Sequence, residues 1–98
     1  MNNIIDRVTK MENILDELTI VVEKSDKALN ELVHSLKNLK TLKKYYESQY
    51  MKDVMADKRN EVPQGLKRGV LSEDAVHMLL TDLVELSDKM EKLSKKIR

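Results

Sequence analysis

Apolar residues recur through the first half of the chain at alternating spacings of four and three. The series is Ile4, Val8, Met11, Leu15, Leu18, Val22, Leu29, Leu32, Leu36, Leu39 and Tyr46. This spacing places the side chains on one face of an α-helix, and neither Gly nor Pro interrupts it. The pattern predicts a helix over about residues 3–47, roughly 65 Å long at ~1.5 Å per residue.

Two positions of this stripe are polar, Ser25 and Lys43. Near Ser25 the residue Asp26 could begin a new helix as an N-cap. A continuous helix is favoured, because a break usually requires Gly or Pro. The alternative is a break at Ser25 that folds the N-terminal segment back and gives a monomeric bundle of three long helices and one short helix.

The residues in the middle of the chain indicate a short helix followed by a loop. Ser48 can cap a helix over about residues 49–58. Residues 59–72 contain both glycines and the only proline, and Val62-Pro63-Gln64-Gly65 is typical of a type I turn. Apolar residues within this polar loop indicate that it is pinned to an apolar support. The loop residues are Leu66, Val70 and Leu71, and the expected support is Tyr45, Tyr46 and Tyr50.

The pattern in the last quarter of the chain predicts a second long helix, over residues 73–98, capped by Ser72. Its apolar residues keep spacings of three and four, and they are Val76, Leu79, Leu83, Leu86, Met90, Leu93 and Ile97. The expected fold is therefore all-α and forms one domain, 1–98. In it the long N-terminal helix packs antiparallel against the C-terminal helix, with a short middle helix and a pinned loop between them.

Charge patterning decides the orientation of the two long helices. Residues 37–44 carry four lysines and no acid, whereas residues 73–88 carry five acids and no Lys or Arg. Antiparallel packing brings these two blocks side by side, and parallel packing would oppose like charges. Exposed pairs contribute only ~0–1 kcal/mol each, so burial of the apolar seam, at ~25 cal/mol per Å², has to supply the stability.

The C-terminal helix is too short to cover the whole stripe. Paired back from Tyr46 at ~1.5 Å per residue, it reaches only to about residue 20. Seven apolar residues are then left uncovered: Ile4, Ile5, Val8, Met11, Ile14, Leu15 and Leu18. We therefore expect a homodimer in which two long helices pair antiparallel through their N-terminal halves, with Ile4, Val8, Met11, Leu15 and Leu18 as the self-association surface.

Composition narrows the cellular setting. The net charge is +1 and the chain has no cysteine, which gives no general attraction to nucleic acid and no disulfide framework. Neither a signal peptide nor an apolar segment long enough to span a membrane is recognisable. A cytoplasmic protein with no membrane partner and no cofactor is expected, and nucleic-acid binding is not favoured.

Lys67 and Arg68 form the sharpest candidate site, because two cations on a loop just before a helix could hold a phosphate or a carboxylate of a partner. The alternative is that Arg68 only ties the loop down, through Asp53, Asp57 or Glu73. Asp74 and His77 lie one helical turn apart. They offer two ligands where a metal site usually needs three or four, so no metal is expected.

Catalysis is not expected. No Ser–His or Cys–His pair could assemble a nucleophile. All-helical chorismate mutases have about this size, but their chemistry needs several basic groups inside the helices, and the first helix has a single arginine, Arg7.

A run of nine residues, Leu66-Lys67-Arg68-Gly69-Val70-Leu71-Ser72-Glu73-Asp74, carries a family resemblance. Together with Ile5-Asp6-Arg7-Val8 near the start, Tyr45-Tyr46, and Leu79-Leu80-Thr81-Asp82, it resembles the small bacterial helical proteins grouped as domain of unknown function 4298. The resemblance implies a helical fold, a cytosolic protein and no known activity. Glu47 stands where that family would have Gly, which would let the first helix run further.

Two functions are compatible with these expectations. The favoured one is a non-enzymatic helical protein-interaction module that self-associates through its long helix and presents the 59–72 loop to an unknown protein. The alternative is a small bacterial immunity or antitoxin-like protein that neutralises a toxin.

Overall fold

The computed structural model describes residues 2–72 and 74–98. Three α-helices run through the described residues: α1 spans Asn2–Ser48, α2 spans Tyr50–Lys58 and α3 spans Ala75–Ile97. A 3-10 turn, Gly69–Leu71, precedes α3. The described residues contain no strand, and the prediction of an all-α chain with two long helices and a short middle one is confirmed.

The first helix is continuous through Ser25. The hydroxyl of Ser25 donates a hydrogen bond to the carbonyl oxygen of Val21 at 2.8 Å, so its polar group is satisfied within the helix. Thr19 bonds back to Leu15 in the same way, at 2.8 Å. Because a small hydroxyl can be accommodated like this without breaking the backbone ladder, the alternative with a break at Ser25 is wrong.

The junction between α1 and α2 corrects the predicted role of Ser48. Ser48 is the last residue of α1, and its hydroxyl donates to the carbonyl of Lys44 at 2.6 Å instead of capping α2. Gln49 alone separates the two helices. Its N–H donates to the carbonyl of Tyr45 at 3.0 Å, and its own carbonyl accepts from Asp53 at 3.2 Å. Helical hydrogen bonding therefore continues across the junction.

A tight reversal ends α2. The N–H of Glu61 donates to the carbonyl of Ala56 at 3.0 Å, and the N–H of Asn60 donates to Asp57 at 3.0 Å. Asn60 has φ 60°, in the left-handed region. This is a Schellman motif, in which the orphan carbonyls of the last turn gain donors and Asn is one of the few residues that accept the required backbone.

The turn after this reversal lies one residue later than predicted. The N–H of Leu66 donates to the carbonyl of Pro63 at 3.1 Å, so Pro63 is the first residue of the turn and not the second. The carbonyl of Val62, which the predicted turn would have used, instead accepts a hydrogen bond from the side chain of Arg68 at 2.9 Å.

The start of α3 also differs from the sequence-based expectation. The predicted first residue, Glu73, lies outside the described residues, and α3 begins at Ala75. The N-cap residue of α3 is Asp74, which makes no side-chain cap hydrogen bond, so the predicted cap at Ser72 is wrong. The hydroxyl oxygen of Ser72 accepts a long hydrogen bond of 3.4 Å from the N–H of Asp74. The carbonyl of Asp74 then accepts the N–H of Met78 at 2.8 Å, which forms the first helical turn.

The chain divides into two compact units, Met1–Thr41 and Leu42–Arg98. The described part of the first unit is residues 2–41 of α1, and the last residues of α1, 42–48, belong to the second unit. In the second unit, α2 and α3 each contact the 3-10 turn. Two hydrophobic side chains of the described residues are buried, Tyr50 at 7% exposure and Val76 at 3%, and both belong to the second unit. The assignment of one domain over residues 1–98 stays a prediction.

Candidate functional site

The guanidinium of Arg68 organises the loop that follows α2. Its Nε donates to Oδ1 of Asp57 at 2.9 Å, which ties the loop to α2. Its Nη2 donates to the carbonyls of Val62 and Pro63, both at 2.9 Å, and its Nη1 donates to the carbonyl of Gln64 at 3.1 Å. One side chain therefore holds three successive carbonyls and one carboxylate.

This geometry depends on chemistry that only arginine has. A guanidinium presents five N–H donors in a planar fork, so it can serve several acceptors that lie in different directions. Arg68 uses four of these donors within its own unit. The Arg68 and Asp57 side chains are each 31% exposed, so water screens the ion pair only in part. Arg68 thus fixes the backbone path of the loop through hydrogen bonds within its own unit.

The predicted pinning of the loop is present, and hydrogen bonds to its backbone contribute to it. Leu66 is exposed and does not anchor the loop. The far end of the loop is held by Tyr50, whose hydroxyl donates to the carbonyl of Leu71 at 3.5 Å. Tyr50 also packs on Tyr46 with ring centroids 4.7 Å apart, and on Tyr45 edge to face at 6.4 Å. Hydrogen bonds to the backbone therefore help to hold the loop, beside the contacts of the 3-10 turn with α2 and α3.

The two residues predicted to contact a partner have different surroundings. Lys67 is exposed, whereas Arg68 is half-buried and engaged within the loop. An open depression of about 740 Å³ lies beside Arg68. Its lining residues are Asp57, Asn60, Glu61, Val62, Pro63, Gln64 and Arg68. Glu61 on this rim is paired with Arg59 at 2.9 Å. The surface is polar and shallow, which suits contact with another protein better than enclosure of a small molecule.

A second polar cluster links α1 to α2. The hydroxyl of Tyr45 donates to Oδ2 of Asp53 at 2.7 Å, and the side-chain amide of Gln49 donates to Oδ1 at 3.2 Å. The hydrogen bond to Asp53, followed by burial, raises the pKa of Tyr45 to about 12. The same bond, followed by the one from Gln49, lowers the pKa of Asp53. Each partner thus holds the other in the protonation state that the bond needs.

The cluster of Tyr45, Gln49 and Asp53 was not predicted from the sequence, although a signal was present. Residues 45, 49 and 53 follow each other at intervals of four, which places them on one helix face only if the helix continues across residue 49. The predicted cap at Ser48 broke that continuity. A helix predicted to continue across Gln49 would have placed these three side chains on the same face.

The Asp53→Asn variant is expected to lower the pKa of Tyr45 from about 12 towards its ordinary value near 10. For Tyr45, whose folded pKa is raised, the contribution to stability is complete below its ordinary pKa and is lost as the pH rises through about 12. For Asp53, whose folded pKa is lowered, it is present above the ordinary value of ~3.9 and is lost as the pH falls. The hydrogen bond between Tyr45 and Asp53 therefore contributes fully to the stability of the folded state from about pH 4 to pH 10.

Ultraviolet absorbance titration of the tyrosines measures this shift, with the Tyr45→Phe variant identifying the Tyr45 step. The matched control is Gln49→Met, which removes the second contact of Asp53 and leaves the Tyr45 bond in place. An unchanged Tyr45 pKa in the Asp53→Asn variant would contradict the assigned cause.

The predicted self-association residues form an exposed apolar face on the first unit. Ile4, Val8, Met11, Leu15 and Leu18 all lie on α1, with side chains between 50% and 58% exposed. Ile5 and Ile14 are exposed on the same helix. The side chains that the sequence predicted to be left uncovered are thus exposed in a single copy of the chain.

The described residues present neither a group of metal ligands nor a membrane-spanning helix. Among them, no three His, Cys, Asp or Glu side chains come together in a group that could hold a metal ion. No helix within the described ranges is both long enough and apolar enough to cross a membrane.

Fold and surface together define a small all-α protein with one long amphipathic helix and an arginine-held loop. The chain belongs to the family described as domain of unknown function (DUF4298), whose model matches residues 8–93. The resemblance carried by the run from Leu66 to Asp74 is therefore confirmed. No curated protein and no solved structure matches the chain.

Proposed function

We propose that this chain is a non-enzymatic, cytoplasmic protein-interaction module that self-associates through the N-terminal half of α1. The observation that supports the proposal most is the exposed apolar face of the first unit. From Ile4 to Val22 the apolar side chains on or beside this face are between 39% and 65% exposed. Contiguous apolar surface of this extent is rare on a monomeric protein and is typical of an interaction site.

The C-terminal helix supplies the second part of the proposal. α3 has its own apolar face, and Leu79, Leu86 and Leu93 on it are exposed in the structure. We propose that α3 packs antiparallel along the C-terminal half of α1. The charge pattern supports this orientation, because the lysines of residues 37–44 then lie beside the acidic first half of α3. Residues 4–22 remain for a second copy.

We propose that the loop supplies a surface for another protein. Arg68 fixes the backbone of residues 62–64, and a fixed loop loses little conformational entropy when it binds. Lys67 lies next to it and is exposed. We propose that Lys67 meets an acidic group of the partner, whereas Arg68 keeps the surface in shape.

Sedimentation equilibrium of the purified chain across micromolar concentrations tests the self-association. The expected result is a mass of about two chains, 11.4 kDa each, with dissociation on dilution. A single species with the mass of one chain at every concentration would overturn the proposal, because the apolar face of α1 would then be exposed in solution as well.

A further inference from the structure

The spacing of the apolar face at the start of α1 is symmetric. Its residues are Ile4, Val8, Met11, Leu15, Leu18 and Val22. The intervals between them are four, three, four, three and four, so the series reads the same in both directions about the level of residue 13. A helix with such a face can pack against a copy of itself that runs the opposite way, with every apolar residue opposite another.

We infer that the occupant of this face is residues 4–22 of a second copy, running antiparallel, with the two-fold axis at the level of residue 13. This inference rests on the proposed self-association and adds its register. Ile4 then faces Val22 of the second copy, Val8 faces Leu18, and Met11 faces Leu15. The two copies together form six layers, and each layer is apolar on both sides.

Ser25 decides between this register and its alternatives. A shift of one heptad towards the C-terminus sets Ser25 opposite Val8 of the second copy, and a further heptad sets it opposite Leu15. Each of these layers would pair a small hydroxyl side chain with a large apolar one and leave a poorly filled space, which is costly in a helix seam. The register centred on residue 13 is the longest antiparallel one that keeps every layer apolar.

Ile14 adds an apolar contact beside the two-fold axis. It flanks the stripe one residue from the axis, so in this register the two copies of Ile14 lie ~3 Å apart along the helix axis. In the single chain Ile14 is 39% exposed, which leaves apolar surface available for such a contact. In a symmetric interface only residues at or next to the axis come near their own copies, and Ile14 is an apolar residue next to it.

The exposed surface is large enough for a stable dimer. Nine apolar side chains of residues 4–22 lie on or beside the face, and they are Ile4, Ile5, Val8, Met11, Ile14, Leu15, Leu18, Val21 and Val22. Each offers roughly 50 Å² when half exposed, since full burial of such a side chain at ~25 cal/mol per Å² corresponds to roughly 100 Å². Two copies contribute roughly 900 Å², about the apolar share of a standard interface of ~1,600 Å².

Cysteine cross-linking reads the register directly, because the chain has no cysteine of its own. The Val8→Cys and Leu18→Cys variants are purified, mixed, equilibrated and treated with a short bismaleimide, with one variant isotope-labelled so that mixed products have their own mass. We expect the mixed product to exceed either self-linked product about tenfold. A residue at position 8 lies ~15 Å along the helix axis from its own copy in this register, beyond the reach of the linker.

Control pairs separate the alternatives. Val8→Cys mixed with Ser25→Cys, or with Leu32→Cys, should give little product, and preferential linking in either pair would overturn the register in favour of a shifted one. Efficient self-linking of Val8→Cys would mean a parallel dimer and would also overturn it. Ile4→Cys with Val22→Cys is a second test of the same register, for use if the first pair folds poorly by circular dichroism.

The same samples distinguish a wrong register from a failure of the proposed self-association. If sedimentation shows a dimer and the links fall in another pair, the register is wrong and self-association through α1 stands. If sedimentation shows a monomer, the self-association itself is wrong. Ile20→Cys is the matched control for non-specific linking, because Ile20 is as exposed as Val8, at 51%, but lies on the opposite face of α1.

Discussion

Replacement of Arg68 by Met is expected to lower the free energy of unfolding by about 2 kcal/mol, since hydrogen bonds to a charged group contribute ~1.5–3 kcal/mol when they are not fully exposed. The variant keeps a similar length of side chain but loses the four hydrogen bonds to Asp57 and to the carbonyls of residues 62–64. Water can reach part of the loop, so the loss should be well below the sum of four separate bonds. Urea denaturation followed by far-ultraviolet circular dichroism measures it.

Arg59 provides the matched control for this experiment. It also pairs with a carboxylate through two hydrogen bonds, at 2.9 and 3.2 Å to Glu61. Its ion pair is 57% and 56% exposed, against 31% for the pair of Arg68 and Asp57. The Arg59→Met variant should therefore lose only ~0–1 kcal/mol. Equal losses for the two variants would show that the carbonyl contacts of Arg68 contribute nothing beyond an ordinary surface pair.

Replacement of Leu18 by Glu is expected to weaken self-association by at least about 100-fold. In a symmetric dimer the substitution occurs in both copies, and each loses the burial of roughly 50 Å² of apolar surface, ~1.25 kcal/mol, which together corresponds to a factor of roughly 70 in the dissociation constant. A carboxylate in an apolar layer adds a desolvation cost. Sedimentation equilibrium of the variant beside the wild type gives the two dissociation constants.

Ile20 is again the appropriate control residue. It is exposed to a similar degree, 51% against 57% for Leu18, and it belongs to the same helix. The Ile20→Glu variant therefore introduces the same charge and removes a similar apolar side chain on the opposite face. Its dissociation constant should match that of the wild type. A similar loss in both variants would point to destabilisation of the helix and would remove the support for a specific surface.

The helical framework was accessible from the sequence because apolar spacing is a local signal. The stripe of α1 predicted residues 3–47 and the structure has Asn2–Ser48. The short helix was predicted over 49–58 and is found at Tyr50–Lys58. The error at Ser48 arose because a Ser hydroxyl can cap a new helix or bond back to the preceding turn, and the sequence does not distinguish these uses.

The sequence left two alternatives for Arg68, a contact with a partner or a tie that holds the loop down. Its acceptors are mostly main-chain carbonyls, and every residue has one, so no residue pattern marks them. Their positions depend on the left-handed backbone at Asn60 and on the turn from Pro63 to Leu66. Pairing of Arg68 with Asp57 was among the predicted options, whereas the three carbonyl contacts follow only from the folded path of the loop.

The use of main-chain acceptors by Arg68 affects which positions of this loop can vary among relatives. Residues 62 and 64 accept hydrogen bonds from Arg68 through their carbonyl oxygens, so their side chains can change without loss of those contacts. Position 68 has no such latitude: lysine would bring a point charge with three donors in place of a planar fork with five. Tolerance to mutation in this loop should therefore be broad along the segment that is held and narrow at the single residue that holds it.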